Sequence, residues 1–169
     1  MSAVKSVPLA GEVRDGRHIL AVRVYYEDTD FSGVVYHASY LRFMERGRTD
    51  YLRLHGTDHR AMFEAAERDS PGFAFVVRSM QIEFLKPARM DDLLEVWTEP
   101  REVGGASAVL FQRVARDGES LVEATVRFAC VRGGKPQRLP EPLRAALRAD
   151  RKALASRPAS ARASTRPSD

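Results

Sequence analysis

The run Glu27-Asp28-Thr29-Asp30-Phe31-Ser32-Gly33-Val34-Val35-Tyr36-His37 places three carboxylates and a histidine just ahead of a stretch with helical spacing. A helix start presents free backbone N–H groups and the positive end of the helix dipole. Such an end can hold a developing oxyanion, the electrostatic contribution that usually dominates acyl-transfer catalysis. Asp30 lies a few residues upstream, where its carboxylate can face the same spot and either attack a carbonyl or deprotonate a water. Composition alone favours a plainer reading, because acidic residues before a helix are commonly turn formers or caps. Glu27 and Asp28 fit that role. A lone histidine at His37 is likewise more often structural than catalytic.

Other chemistries find little support. His18, His37, His55 and His59 form no His-Glu-x-x-His pattern and have no cysteine partners, so no metal site is expected. Gly133-Gly134-Lys135-Pro136 lacks the spacing and the Ser/Thr of a phosphate-binding loop. No Gly-x-Ser-x-Gly elbow is present, which argues against an α/β-hydrolase. The single cysteine, Cys130, falls on an alternating apolar face and reads as a small core residue rather than a nucleophile.

The elements that must position Asp30 and His37 follow from periodicity. Ile19, Val22, Val24, Tyr25 and Tyr26 predict a strand over 17–26. From 38 to 55, Tyr40, Met44, Gly47, Tyr51 and Leu54 recur on one helical face, Arg46 and Asp50 are spaced to pair, and Gly56 is placed to stop the helix. A short helix is expected over 59–67. After the Pro71-Gly72 turn, Met80, Ile82 and Phe84 alternate with polar residues up to Pro87. Strands follow over 93–102, 106–115 and 119–132, joined by Gly104-Gly105 and by Asp117-Gly118, a strong hairpin signal. Gly133-Gly134 and Pro136 break the sheet. Pro142 then opens an amphipathic helix carrying Leu143, Leu147 and Leu154. The expected class is α+β: one strand, one long helix, then four strands as an antiparallel meander, about five strands in all.

Composition bounds the rest. The 169 residues fit one domain, with 1–16 as a flexible lead-in, 17–156 as the folded unit and 157–169 as a basic, disordered tail. No run is apolar enough to span a membrane, no secretory signal is visible, and a lone cysteine fits a reducing compartment, so the expectation is cytoplasmic. The net charge of +4 sits largely in the C-terminal stretch. It gives non-specific attraction to polyanions, without a nucleic-acid recognition motif and with at most peripheral membrane association.

The segment Val24 to Leu41, with its Asp-Thr-Asp-x-x-Gly-Val-Val-Tyr-His core, resembles the signature of the 4-hydroxybenzoyl-CoA thioesterase family. Within that family it is most similar to the branch associated with the Tol–Pal envelope system. The likeness continues through Glu45-Arg46, Phe75-Val76-Val77-Arg78 and Pro87-Ala88-Arg89-Met90-Asp91-Asp92, covering approximately residues 20–140. The resemblance implies a hot-dog fold, with the long helix wrapped by a curled antiparallel sheet. It also implies acyl-CoA thioester hydrolysis without a cofactor. The family's catalytic aspartate falls on Asp30, and the position whose N–H polarises the carbonyl falls on His37. A tyrosine at the latter position marks the benzoyl-type enzymes, so His37 favours aliphatic acyl groups. Gly33 and Tyr36 belong to the same run, and Lys86 and Arg89, flanking Pro87, are candidates for the phosphates of CoA.

Two further classes compete: a non-catalytic acyl-CoA or acyl-carrier-protein binding subunit of an envelope-associated complex, and a hot-dog dehydratase, whose motif is absent. An intact Asp30 favours the hydrolase. A five-stranded sheet leaves two edges and one helix covers one face, so a homodimer or tetramer is expected.

Overall fold

The structure, a computed structural model, describes residues 8–68 and 73–158. The Pro71-Gly72 turn and all but the first two residues of the basic tail lie outside them. In chain order the elements are β1 (Glu12–Arg14), β2 (Arg17–Arg23), a 3-10 turn (Tyr26–Asp28), α1 (His37–Leu54), α2 (His59–Arg68), β3 (Phe73–Phe84), β4 (Leu93–Val103), β5 (Ser107–Arg116), β6 (Glu119–Arg132), β7 (Lys135–Pro136) and α3 (Glu141–Ala155). The class is α+β, with α1 packed on an antiparallel sheet, but the sheet has seven strands rather than about five. The two extra strands are three and two residues long, too short to show a period. β1 lies within the stretch read as lead-in. Asp15 and Gly16, both at positive φ, turn it back onto β2. Gly133 and Gly134 do the same for β6 and β7.

The strand order is β1-β2-β4-β5-β6-β3. Only β4, β5 and β6 form a meander. β3, expected beside β4, pairs with β6 at the far edge, and β4 pairs with β2 instead. Residues 85–92 explain the difference, because they cross the molecule rather than turn back. The N–H groups of Leu85 and Lys86 donate to Leu121 O of β6; Ala88 N–H donates to the Tyr40 hydroxyl on α1; Asp91 N–H donates to Val24 O just after β2. This crossing passes under the N-terminus of α1, and so helps build the site.

α1 buries Tyr40, Phe43, Met44, Gly47, Tyr51 and Leu52. Its first half meets Leu20, Val22, Leu94, Val96, Val114 and Val126 of the sheet in one apolar cluster. Gly47 sets the approach: a Cβ there would sit 2.9 Å from Val96 Cγ1. The helix stops in a Schellman motif, with Gly56 at φ 85° and the N–H groups of Gly56 and Thr57 donating to Arg53 O and Leu52 O. Two expectations for this helix fail. Leu54 is 45% exposed, the buried face of the last turn being carried by Tyr51 and Leu52 instead, and Asp50 pairs with Arg53 rather than Arg46. A second cluster joins Tyr51, Leu52, Phe128 and Cys130 to Leu143 and Leu147 of α3. Asp150 of α3 accepts a hydrogen bond from Tyr51 Oη and lies against His55 Nε2, both at 2.7 Å.

Candidate active site

Asp30 sits in a tight loop between the 3-10 turn and α1. Gly33 N–H donates to Asp30 O and Asp30 N–H to Val34 O, which draws Thr29 and Val35 into a bridge. This geometry needs Gly33 at φ 78°. The Asp30 carboxylate is exposed, and its Oδ1 accepts the N–H of Ser32 at 2.8 Å and the Ser32 hydroxyl at 2.5 Å. These bonds stabilise the ionised form and hold the carboxyl below its usual range. Oδ2 has no partner among the described residues, so the carboxylate is anchored by one oxygen with the other free.

The loop then delivers the chain into α1. Val35 N–H donates to Ala88 O and Tyr36 N–H to Asp28 O, both at 2.8 Å, fixing the entry. Asp28 is buried and its Oδ2 caps Tyr25 N–H, the structural part expected of it. Tyr36 is the N-cap residue but supplies no side-chain cap. The N–H groups of His37 and Ala38 meet no acceptor among the described residues, so the positive end of α1 is open.

Asp30 and His37 line one cleft of about 340 Å³, together with Val35, Tyr40, Phe84, Leu85, Lys86 and Pro87. The His37 ring meets Phe84 edge-on at 6.2 Å and lies 4.4 Å from Tyr36. The remaining sequence candidates divide. Lys86 reaches the cleft, ion-paired with Glu119. Gly33 and Tyr36 shape the loop and the helix cap without lining it. Arg89 stays outside, its backbone bridged to Val34 and its N–H bonded to Asp92. Sequence reasoning assigned Tyr40 only to the core, yet its hydroxyl holds Ala88 and its ring walls the cleft. Its position three residues after His37, on the same helical face, was the available signal. Among the described residues no three of His, Cys, Asp and Glu gather closely enough to hold a metal ion, and no helix is long and apolar enough to cross a membrane.

A carboxylate with one free oxygen beside an open helix N-terminus is equipment for acyl transfer, and the comparisons agree. The Thioesterase superfamily matches residues 32–123. The chain belongs to this superfamily. This thioesterase is 46% identical over 127 residues to the acyl-CoA thioesterase YbgC of Haemophilus influenzae, covering 74% of this chain and 90% of that protein. It is 49% identical over 123 residues to the acyl-CoA thioester hydrolase YbgC of Escherichia coli O6:H1, covering 71% and 87%. Among solved structures, a probable thioesterase from Bartonella henselae superposes with a TM-score of 0.68 at 42% identity, over 73% of this chain and 99% of that one. A thioesterase from Thermus thermophilus, complexed with coenzyme A and Zn, superposes with a TM-score of 0.67 at 26% identity, over 79% and 93%. The hot-dog fold and the thioester-hydrolase class implied by the resemblance of the Val24–Leu41 segment are thus borne out.

Proposed function

We propose that this thioesterase hydrolyses acyl-CoA to the free acid and CoA, with aliphatic acyl groups as its substrates. The observation that carries the reading is the meeting of the half-free Asp30 carboxylate and the uncapped N–H of His37 in one cleft. The thioester carbonyl oxygen accepts the His37 N–H, and negative charge developing on it is stabilised by the dipole of α1. Asp30 Oδ2 then takes a proton from an attacking water, or itself attacks to give an anhydride that water opens. In either route the C–S bond breaks and the CoA thiolate leaves, to be protonated. His37's imidazole, tilted against Tyr36 and edge-on to Phe84, helps position the leaving group.

Support for CoA comes from the names of the relatives and from a CoA complex in a structural neighbour. Lys86 and Arg89, close in sequence on opposite sides of Pro87, are the proposed phosphate contacts, and an acyl carrier protein is an alternative donor. The working unit in this reading is a homodimer built on β3, a twelve-residue edge strand with half-exposed Val76 and Val77. A cytoplasmic site of action fits the unpaired, buried Cys130.

A panel of acyl-CoAs with detection of released thiol tests the activity, and Asp30→Asn tests the mechanism. The variant keeps shape and deletes the anion, so kcat/KM should fall at least roughly a hundredfold with the fold intact. His37→Ala should be milder, since the key donor is backbone. An Asp30→Asn enzyme with more than half of wild-type kcat/KM ends the assignment. Tight acyl-CoA binding with no turnover of any panel member would instead favour a binding subunit.

A further inference from the structure

A second, larger cavity lies away from Asp30. It is a groove of about 440 Å³ between α1, α2 and the first part of β3, with an apolar wall that includes Leu52, Met62, Phe75 and Leu110. Glu45, Arg48, Thr49 and His59 interrupt that wall. Three of these have evident local partners: Thr49 Oγ1 donates to Glu45 Oε1 at 2.6 Å, and His59 Nε2 lies 3.2 Å from Thr49 O.

Arg48 differs. One of its N–H groups donates to Gln112 Oε1 at 2.9 Å. Buried Gln112 is itself pinned, donating to Met44 O and Thr98 Oγ1, both at 2.9 Å. The guanidinium is thus held from behind by one bond and keeps its other donors for the groove. Among the described residues no carboxylate stands at ion-pair distance from it. Burial holds its pKa below the ordinary arginine value, opposed only by the more distant charge of Glu45. A partly buried guanidinium with unused donors forms charge-assisted bonds to any ligand that supplies an acceptor oxygen there.

We propose that Arg48 is a specificity-determining residue: the groove takes the acyl part of the substrate, and Arg48 favours acyl groups with an oxygen distal to the thioester over plain chains of equal length. This rests on the acyl-CoA reading above. Strand β3 carries the groove at Ala74–Val77 and the Asp30 cleft at Phe84. Antiparallel pairing of β3 with its own copy reverses those ends, so the groove of each subunit comes beside the cleft of the other.

The test compares plain, ω-hydroxy and ω-carboxy acyl-CoAs of matched length, from hexanoyl to dodecanoyl, on wild type, Arg48→Met and Arg48→Gln. The readout is the ratio of kcat/KM for oxygenated over plain substrate, which is internal to one preparation and insensitive to partial unfolding. Arg48→Gln keeps an amide donor for Gln112 if Arg48→Met folds poorly. The wild-type ratio should exceed one at some length and fall by about tenfold or more in both variants. A larger ω-carboxy than ω-hydroxy ratio means charge pairing; the reverse means that Glu45 opposes a second anion. A wild-type preference for plain chains at every length, or a ratio the substitutions leave unchanged, overturns the proposal. If no acyl-CoA is hydrolysed at all, the same intact acyl-CoAs are titrated against wild type and variants by thermal shift. Arg48-dependent tighter binding of the oxygenated over the plain member then keeps the subsite while the hydrolase reading falls, and its absence ends the subsite too.

Discussion

The division of labour between the two oxygens of Asp30 is the residue-scale feature with the clearest consequence. Oδ1 is held by Ser32 through both backbone and hydroxyl, and the hydroxyl is the larger influence lowering the carboxyl pKa. In the proposed mechanism, whether Asp30 is nucleophile or base, the reactive form is the anion. Catalysis should therefore persist as pH falls into the range where an ordinary carboxylate protonates, and fail only as pH passes below the depressed value. Ser32→Ala removes the hydroxyl bond and leaves the backbone one. The acid limb of the kcat/KM profile, which reports groups of the free enzyme, should move to higher pH, with the plateau changed far less. A limb that stays in place, or moves to lower pH, would show that the titrating group is not Asp30. His37 is legible at this scale only in part. Its sequence position marks the start of the helix, and Tyr36 before it is not a capping residue type, but the bond from Val35 N–H to Ala88 O that fixes the helix entry joins residues far apart in sequence.

At the scale of elements, α1 approaches the sheet as closely as Gly47 permits. An alanine there would gain up to about 1 kcal/mol of helix propensity. Its Cβ would also be forced to 2.9 Å from Val96 Cγ1 and 3.2 Å from Thr98 Oγ1, an overpacking that costs about 1–3 kcal/mol. Gly47→Ala should therefore lose about 1 kcal/mol net in urea titration, or about 3 °C in Tm for a chain of this size. A stabilised variant would mean that β4 yields more readily than its packing implies. The long elements are legible because their apolar periods are long: Tyr40, Met44, Gly47 and Tyr51 on α1, and Val122, Ala124, Val126, Phe128 and Cys130 on β6, are all buried as expected. Asp117-Gly118 turns β5 into β6 as its sequence predicts, and Asp15-Gly16 is the same signal within the expected lead-in. Three-residue β1 carries no period to flag it. The placement of β3 beside β6 was also hidden. It depends on hydrogen bonds from Leu85, Lys86 and Asp91 to residues far off in sequence, and local pattern favours the simple meander. Arg48, proposed above as a specificity residue, is hidden for a related reason, since helical spacing does not show its bond to Gln112 or the groove it lines with α2.

For the molecule as a whole, the proposed homodimer rests on β3. Its outer edge is unpaired over twelve residues among the described strands, and Val77 on it is 49% exposed. A charge there should block strand pairing without disturbing the core. Val77→Asp is expected to sediment as a monomer and to lose turnover in parallel, with its melting transition still cooperative. A monomer with full specific activity would refute a shared site. One further property belongs to the whole molecule. Cys130 has no exposed surface, and burial pushes its thiol up to about 11. At neutral pH only about one thiol in ten thousand is ionised. The reagents that count released CoA should therefore pass this cysteine by while the protein is closed. Any alkylation that does occur records an opening of the core between β6 and α3, so a single native atom serves as a clock for how often the fold comes apart.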